Sequence, residues 1–339
     1  MMKNERLYAC AALLMLLLPL ALAPFGIDLP NYRAEGNTQR FAEAPASWLE
    51  ERLALRCALL TLRGETLYAM GDAGPQAVVG EGCAYYRPAL IGLTDPMMDE
   101  TADEMTQAVV GLRDALRAQG QALIVLIAPD KASVYPDGLP ARLRGRAGSG
   151  DGEKAASRLA LAGVDVVYAK DALRAARTKG DTYFAYDTHW NARGAMIAAN
   201  AALDALGLPL YEPDEIVLTP GRASDIRLLY APGHAPEEPD AEPDIGRGYR
   251  LVRPMRSLND MTIRTANEDG QETVLMARDS FGAGLFPYLA NRLRSFVMSR
   301  SYQNLPVQAA REGAETVILE IAERNLRSLP ELLANPDQT

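Results

Sequence analysis

Histidine is almost absent from this sequence, whose 339 residues include only His189 and His234. Cysteine is nearly as rare, with three residues, and the sequence contains neither a CxxC pair nor a cluster of cysteine with histidine. The usual nitrogen and sulfur ligands of a metal centre are therefore missing, and we expect neither a metal nor a cofactor. The same scarcity leaves only two candidates for a histidine general base.

An excess of positive charge is also missing. The chain has 44 acidic and 35 basic residues and a formal net charge of −9. Binding to nucleic acid depends on a clustered basic surface that neutralises phosphates, so we expect no nucleic-acid partner. Hydrophobic residues at 48% and charged residues at 23% are ordinary values for a folded globular chain.

The N-terminus contains one long apolar run, from Leu7 to Ala23, which follows Lys3 and Arg6. Its length lies at the short end of the range of about 17–25 residues that spans a bilayer. Cations before such a run favour a cytoplasmic N-terminus and export of the remaining chain. We therefore interpret residues 1–25 as an uncleaved membrane anchor. The alternative is a signal peptide cleaved after residues 21–23, which would give a secreted or periplasmic protein.

Residues 26–75 are interpreted as a linker followed by a helical segment around Trp48–Leu62. Export would permit a disulfide between Cys57 and Cys83, and two free thiols are equally compatible with the sequence. The stretch 76–92 has apolar residues with glycine punctuation, which indicates short strands and turns.

From residue 76 to residue 335 strand and helix patterns alternate. Helical spacing of apolar residues runs from Met105 to Leu116, and further helices are expected near 153–162, 170–178 and 191–207. Short apolar runs typical of buried strands occupy 122–128, 164–169, 273–277, 295–299 and 316–322. This alternation predicts an α/β fold in which helices cover both faces of a mainly parallel sheet.

One stretch, 231–248, departs from this pattern because it is rich in proline, acidic residues and glycine. Such a composition buries little apolar area, so we expect an exposed flexible insertion. His234 lies within it, which leaves His189 as the preferred general base.

A candidate nucleophile lies in the segment TVLMARDSFGAGLFPYLA (273–290), where a buried strand, a tight turn and a helix follow one another. Ser280 occupies the turn, the usual place for a nucleophilic serine in an α/β fold. The alternative is that Ser280 only caps the helix.

The segment YDTHWNARGA (186–195) supplies the partners that this serine would need. Asp187 and His189 are two residues apart, so in an extended segment their side chains share one face. A carboxylate can then orient the imidazole while its other nitrogen takes the serine proton. Trp190 is expected to wall the site. The alternatives are a helix cap or surface acid for Asp187 and a structural role for His189.

Together with IAPDKASVYPDGLP (127–140) and EIAERN (320–325), these two blocks resemble the alginate O-acetyltransferase group of SGNH-hydrolase-like proteins. That group includes the J and X components of alginate acetylation and related DHHW-motif proteins. The resemblance implies a three-layer α/β/α fold, with Ser280 as nucleophile, His189 as general base and Asp187 as orienting acid, in the order Asp–His–Ser.

Several further residues are weaker candidates for substrate or oxyanion contact. Arg278 stands where the family often has glycine. Its cation could assist an oxyanion, and the alternative is that the turn is built differently. Lys131 and Tyr135 are candidates for contact with an anionic or sugar substrate, the alternative being a loop with a solvated lysine. Tyr302 and Asn304 follow a strand end, where ligands bind in such sheets.

Two acidic residues near the C-terminus are given no catalytic role. Glu320 and Glu323 are expected to serve the structure, paired with Arg324 or solvent.

The first functional hypothesis is a membrane-anchored, extracytoplasmic O-acetyltransferase acting on a cell-surface or secreted polysaccharide. The family implies a multi-spanning membrane-bound O-acyltransferase as the partner that delivers acetyl groups. The second hypothesis is an acetylesterase with the same triad, and the third is a non-catalytic carbohydrate-binding or assembly component.

Overall fold

The computed structural model describes residues 56–145, 150–212, 216–231, 237–243 and 245–334. The predicted anchor at 1–25, the linker after it and His234 lie outside these residues. Among the helices of the described ranges, none combines the length and apolar character needed to cross a bilayer.

The chain forms two compact units. The smaller unit comprises the described parts of Met1–Val79 and Ala223–Pro236, and the larger unit comprises those of Gly80–Arg222 and Glu237–Thr339. Both blocks that carry the candidate catalytic residues belong to the larger unit.

The strands are β1 (Ala77–Val79), β2 (Ala84–Tyr86), β3 (Ala122–Ala128), β4 (Asp165–Tyr168), β5 (Ile216–Ala223), β6 (Glu237–Pro243), β7 (Arg250–Leu251), β8 (Thr262–Ala266), β9 (Gln271–Ala277), β10 (Leu293–Ser299) and β11 (Thr316–Ala322). The helices are α1 (Arg56–Ala69), α2 (Ile91–Thr94), α3 (Asp99–Arg117), α4 (Lys131–Val134), α5 (Ala141–Arg144), α6 (Asp151–Leu161), α7 (Lys170–Ala176), α8 (Ala192–Ala205), α9 (Asp225–Tyr230), α10 (Gly282–Arg292), α11 (Leu305–Glu312) and α12 (Leu329–Leu333).

A seven-stranded sheet in the order β4-β3-β11-β9-β10-β8-β7 forms the centre of the larger unit. The pairs from β4 to β10 are parallel, whereas β8 and β7 add an antiparallel edge. The predicted α/β class with a mainly parallel sheet is confirmed. The antiparallel edge was not predictable from apolar runs, because β8 alternates buried and more exposed side chains and lacks a continuous apolar run.

Both faces of the central strands of this sheet are buried, which explains their continuous apolar runs. In β3 the side chains of Ile124 and Leu126 pack with those of α8 and α10, while Leu123 and Val125 pack on the other face with α3 and α6. The result is three layers, and the carboxyl ends of β3, β9 and β11 meet at one edge of the sheet.

The expectation of a flexible insertion at 231–248 is wrong for residues 237–243, which form β6 paired with β5. The acidic side chains that suggested exposure accept hydrogen bonds here. Glu238 accepts the backbone N–H groups of Ala185 at 2.5 Å and Tyr186 at 2.8 Å. The prediction from composition considered only the burial of apolar side chains. β6 is held instead by backbone pairing with β5 and by hydrogen bonds to its carboxylates.

Candidate active site

The turn that carries Ser280 lies between β9 and α10, and the Ser280 side chain is exposed there. Asp279 holds the turn in place from both of its carboxylate oxygens. Its Oδ1 accepts the N–H of Phe281 at 3.0 Å, and its Oδ2 accepts the N–H of Ala322 at 2.8 Å and the side-chain amide of Asn325 at 2.9 Å. The serine is thereby tied to the end of β11.

Glu320 supports the same turn from beneath. Its side chain is fully buried, and Oε2 accepts the N–H groups of Asp279 at 3.0 Å and Gly282 at 3.1 Å. The expectation that Glu320 pairs with Arg324 or solvent is therefore wrong, because its position in β11 points it at the neighbouring turn. Burial raises the pKa of the Glu320 carboxyl well above its usual range.

Glu323 also differs from the expectation. It accepts the N–H groups of Asp130 and Gly152, both at 3.0 Å, while Arg324 pairs with Asp130 at 2.7 Å. The two acids are structural as predicted, although backbone amides and not Arg324 are their partners.

A glycine is required at position 282 because the backbone there passes close to the side chains of Arg278 and Glu320. A Cβ atom at Gly282 would lie 2.6 Å from Arg278 Cβ and 2.7 Å from Glu320 Oε2. Contacts this short would displace the side chain that holds the turn.

The i, i+2 spacing of Asp187 and His189 suggested an extended segment. The pair lies instead in a bend before α8. The bend is fixed by an antiparallel bridge between Tyr183 and Trp190. Buried Asp187 accepts both the backbone N–H of His189 at 2.9 Å and the Nδ1 atom at 2.7 Å through the same Oδ1. This contact fixes the orientation of the imidazole ring.

The opposite ring nitrogen of His189 faces the serine. His189 Nε2 lies 2.8 Å from Ser280 Oγ, although the two residues are 91 positions apart, and the ring packs on Phe281 at 4.8 Å between centroids. With a proton on Nδ1 directed at Asp187, Nε2 can accept the hydroxyl proton. The structure thus brings Ser280, His189 and Asp187 together in the geometry that nucleophilic catalysis requires.

A cavity of about 230 Å³ opens beside this triad between α8 and α10. Trp190 forms part of its wall, as expected, together with small or apolar residues such as Ala195, Ala283 and Phe184. Asp240 of β6 reaches the same cavity and accepts the N–H of Ala192 at 2.9 Å. The predicted insertion therefore contributes to the site.

Backbone donors for an oxyanion are fewer than the strand–turn–helix pattern suggests. In the turn, the N–H groups of Asp279 and Gly282 donate to Glu320, and that of Phe281 donates to Asp279. The N–H of Ser280 donates to no acceptor in the described part of the chain. The buried indole N–H of Trp190 likewise has no acceptor among the described residues.

Three of the weaker candidates lie away from the cavity. Arg278 is buried and donates to the carbonyl oxygens of Asp279 and Leu258, and burial lowers the pKa of its guanidinium. Buried Tyr302 donates to the carbonyl of Glu320 at 2.8 Å. Asn304 has a left-handed backbone before α11. None of these three residues lines the triad cavity, and their contact with substrate or an oxyanion stays a prediction.

Lys131 and Tyr135 line a second cavity of about 250 Å³. Lys131 is buried and not solvated, and Nζ donates to the carbonyls of Ala84 and Ala185 at 2.9 Å each. Cys83 lines the same cavity and carries a free thiol, whereas the Cys57 side chain lies outside the described residues.

Asp279, Asn325 and Asp240 are parts of the site that were not predicted from the sequence. Asp279 directly precedes the serine and Asn325 lies in the EIAERN segment, so their positions in the sequence offered a weak indication of a role in the site. Asp240 offered no such indication, because it lies in the segment predicted to be an exposed insertion.

Substitution of Glu320 provides a test of the support under the turn. The pKa of Glu320 is higher in the folded state than in the unfolded state, so the protonated carboxyl stabilises the fold. This stabilisation is complete at pH values below the unfolded-state pKa and disappears as the pH rises through the folded-state pKa. Between these values wild-type stability should fall by about 1.4 kcal/mol per pH unit relative to Glu320→Gln, whose amide keeps the shape and cannot ionise. Chemical denaturation of both proteins from about pH 5 to pH 9 measures this difference.

Glu312→Gln is the matched control for this test. Hydrogen bonding to Arg264 lowers the pKa of Glu312, so its stabilisation persists above the unfolded pKa and disappears only as pH falls. The decrease in the free energy of unfolding caused by Glu312→Gln should therefore be constant from about pH 5 to pH 9. A constant difference for Glu320→Gln would contradict the burial argument.

Part of this chain is similar to known proteins. Residues 92–214 match the family described as SGNH hydrolase-like domain, acetyltransferase AlgX. The probable alginate O-acetylase AlgJ of Pseudomonas syringae pv. tomato is 33% identical over 137 residues, which cover 37% of this chain and 34% of that protein. The chain thus matches about a third of the relative's length, and the matched family region contains Asp187 and His189 but not Ser280.

Solved structures show the same fold over most of the chain. Bacillus cereus PatB1 with a sulfonyl adduct has a TM-score of 0.61 and 13% identity, covering 76% of this chain and 98% of that one. A DHHW family protein from Eubacterium siraeum has a TM-score of 0.57 and 13% identity, and the match covers 77% of this chain and 100% of that one. The resemblance to SGNH-hydrolase-like alginate O-acetyltransferases that the motifs predicted is confirmed.

Proposed function

We propose that this protein is an O-acetyltransferase that transfers an acetyl group to a hydroxyl of a polysaccharide through an acetyl-serine intermediate. The observation that carries the proposal is the continuous contact from Asp187 through His189 to Ser280, with distances of 2.7 and 2.8 Å. A serine hydroxyl is a weak nucleophile unless an adjacent base takes its proton, and His189 is placed to do so.

In the first half of the reaction, Ser280 Oγ attacks the carbonyl carbon of the acetyl donor while His189 Nε2 takes the hydroxyl proton. The bond to the leaving group breaks, and His189 returns that proton to the leaving group. Asp187 stabilises the imidazolium in between. The Ser280 N–H, which has no acceptor in the described part of the chain, is the candidate backbone donor for the oxyanion.

In the second half, a sugar hydroxyl attacks the acetyl-serine. His189 takes the proton of that hydroxyl and gives it to Ser280 Oγ as the ester bond to serine breaks. The acetyl group is now on the sugar, and the enzyme returns to its starting state.

Acetylester hydrolysis by the same residues is the second candidate. The exposure of Ser280 favours it, because water can approach the acetyl-serine from the same side as a sugar. The non-catalytic alternative is disfavoured by the contacts of the triad, since a purely binding protein has no need of a base aligned on an exposed serine.

The apolar N-terminal run and the family resemblance support an extracytoplasmic site anchored at the membrane. Acetyl-CoA is not expected outside the cytoplasm, so the proposal includes a multi-spanning membrane-bound O-acyltransferase as the source of acetyl groups.

Mass spectrometry tests the proposal most directly. After brief exposure of the purified protein to para-nitrophenyl acetate and rapid acid quenching, one acetyl group is expected on the peptide that contains Ser280. Ser301→Ala should retain the adduct, since this serine lies outside the catalytic cavity. An acetyl group distributed over many surface residues, with none on Ser280, would overturn the proposed mechanism.

A further inference from the structure

The triad cavity, which opens beside Ser280 and His189, is larger than an acetyl group needs. It has a volume of about 230 Å³, whereas one buried water needs about 10–15 Å³. The methyl of an acetyl group is similar in size to a water molecule, and its carbon lies only about 1.5 Å from the carbonyl carbon. An acetyl group on Ser280 would therefore leave most of this cavity unfilled.

The triad cavity continues along α10, the helix that follows the serine turn. Its wall on this helix is formed by residues at spacings of three and four, which share one helix face: Ala283, Gly284, Pro287 and Tyr288. One helical turn, about 5.4 Å, separates Gly284 from Tyr288. The cavity thus reaches beyond the atoms that an acetyl group would place next to Ser280 Oγ.

Most of the wall is apolar. Besides the α10 residues it includes Ala192 and Ala195 of α8, and Leu258. Trp190 is only 3% exposed, so its ring offers no open face on which a sugar could stack. Its indole N–H faces the backbone of α10, because a Cβ atom at Gly284 would lie 2.7 Å from Nε1. Removal of hydrocarbon from water is the main gain that such a wall provides to a ligand.

The polar side chains of the wall, apart from the triad, are engaged within the fold. The side chain of Asn191 caps α8 and also donates to a backbone carbonyl. Tyr288 donates to the carbonyl of Ala192 at 2.7 Å, and Asp240 accepts the N–H of the same residue at 2.9 Å. These contacts fix the shape of the cavity, and its chemistry fits a hydrocarbon chain better than the hydroxyls of a sugar.

We infer that the triad cavity holds the acyl group carried by Ser280, and that it accepts linear acyl groups longer than acetyl, at least up to butyryl. The inference rests on the proposed acyl transfer and widens its donor class. The chemistry is unchanged: Ser280 Oγ bonds to the acyl carbon, the bond to the leaving group breaks, and His189 passes the hydroxyl proton to that group. Transfer of propionyl and butyryl groups is the further activity that follows.

A series of para-nitrophenyl esters tests this assignment. The kcat/KM values for the acetate, propionate and butyrate would each be divided by that ester's rate constant for hydrolysis by hydroxide, which corrects for intrinsic reactivity. The corrected value should rise with each added methylene, by up to about fourfold, which is the factor expected from burying one methylene. Mass spectrometry should find butyrate on the peptide that contains Ser280, and Ser280→Ala should lose turnover of all three esters.

Filling the cavity should remove this preference. Ala283→Leu on the α10 wall and Ala192→Leu on the α8 wall each place a larger side chain where the longer acyl group would lie. Each should lower the butyrate-to-acetate ratio of kcat/KM by about tenfold. Ala310→Leu, the same change at an exposed position of α11 outside the cavity, should leave the ratio unaltered. Circular dichroism checks the fold of each variant.

The possible outcomes separate this inference from the proposed function. A corrected kcat/KM for the butyrate no higher than that for the acetate would overturn the inference, while acetyl-serine would still support the triad. An unchanged ratio in the folded cavity variants would also overturn it, and would assign the cavity to another ligand such as the sugar acceptor. Failure of every ester to acylate Ser280 would refute the proposed function and the inference with it.

Discussion

Ser280→Ala is expected to reduce acetyl-ester turnover by about 10⁴-fold or more while leaving the protein folded. The hydroxyl is the proposed nucleophile, and its described contact is with His189. The turn itself is held by Asp279 and Glu320, neither of which depends on the serine side chain. Steady-state hydrolysis of para-nitrophenyl acetate gives the rate, and circular dichroism with thermal unfolding checks the fold.

His189→Ala should cause a loss of similar size, and the double variant should be little worse than either single one, because the members of a triad act as a unit. Ser301→Ala serves as the control and should retain wild-type turnover. Near-wild-type activity in a folded Ser280→Ala sample would exclude the catalytic role, and the carbohydrate-binding alternative would then become the leading hypothesis.

Asp187→Asn is expected to give the second large effect, a loss of about 10³- to 10⁴-fold in kcat/KM. The carboxylate accepts from His189 Nδ1 and so keeps Nε2 unprotonated toward Ser280. An asparagine amide of the same shape can instead donate to Nδ1, which leaves the proton on Nε2 and removes its ability to accept one. The imidazolium also loses its counter-charge.

Asp204→Asn, the same substitution on the exposed side of α8, is the control for this measurement and should leave kcat/KM unchanged. Thermal unfolding distinguishes a lost fold from lost chemistry, since the isosteric change is expected to leave most of the protein's stability intact. A decrease of less than about tenfold in a folded sample would show that Asp187 is not needed to orient the imidazole.

Much of the architecture follows from the sequence alone. The apolar runs at 122–128 and 316–322 are the observed bounds of β3 and β11, because strands buried on both faces are apolar at most positions. Glu320 is the charged exception in β11. The candidate triad could also be predicted, since only two histidines are present and one of them stands beside an acid. Ser280 was recognisable from the strand, turn and helix around it. Each of these patterns lies within one short segment of the sequence, so it can be recognised without knowledge of the tertiary structure.

Only the tertiary structure decided how the site is supported and what surrounds it. Glu320 lies 40 positions after the serine, yet its burial beneath the turn makes it the acceptor for two backbone amides and raises its pKa. Arg278 looked like a catalytic cation and is instead turned into the protein. β6 became ordered through a partner strand and through carboxylate contacts that composition does not encode. The physical reason is common to all three: hydrogen bonds and burial of charged groups depend on which segments meet in space, whereas apolar periodicity is set along the chain itself.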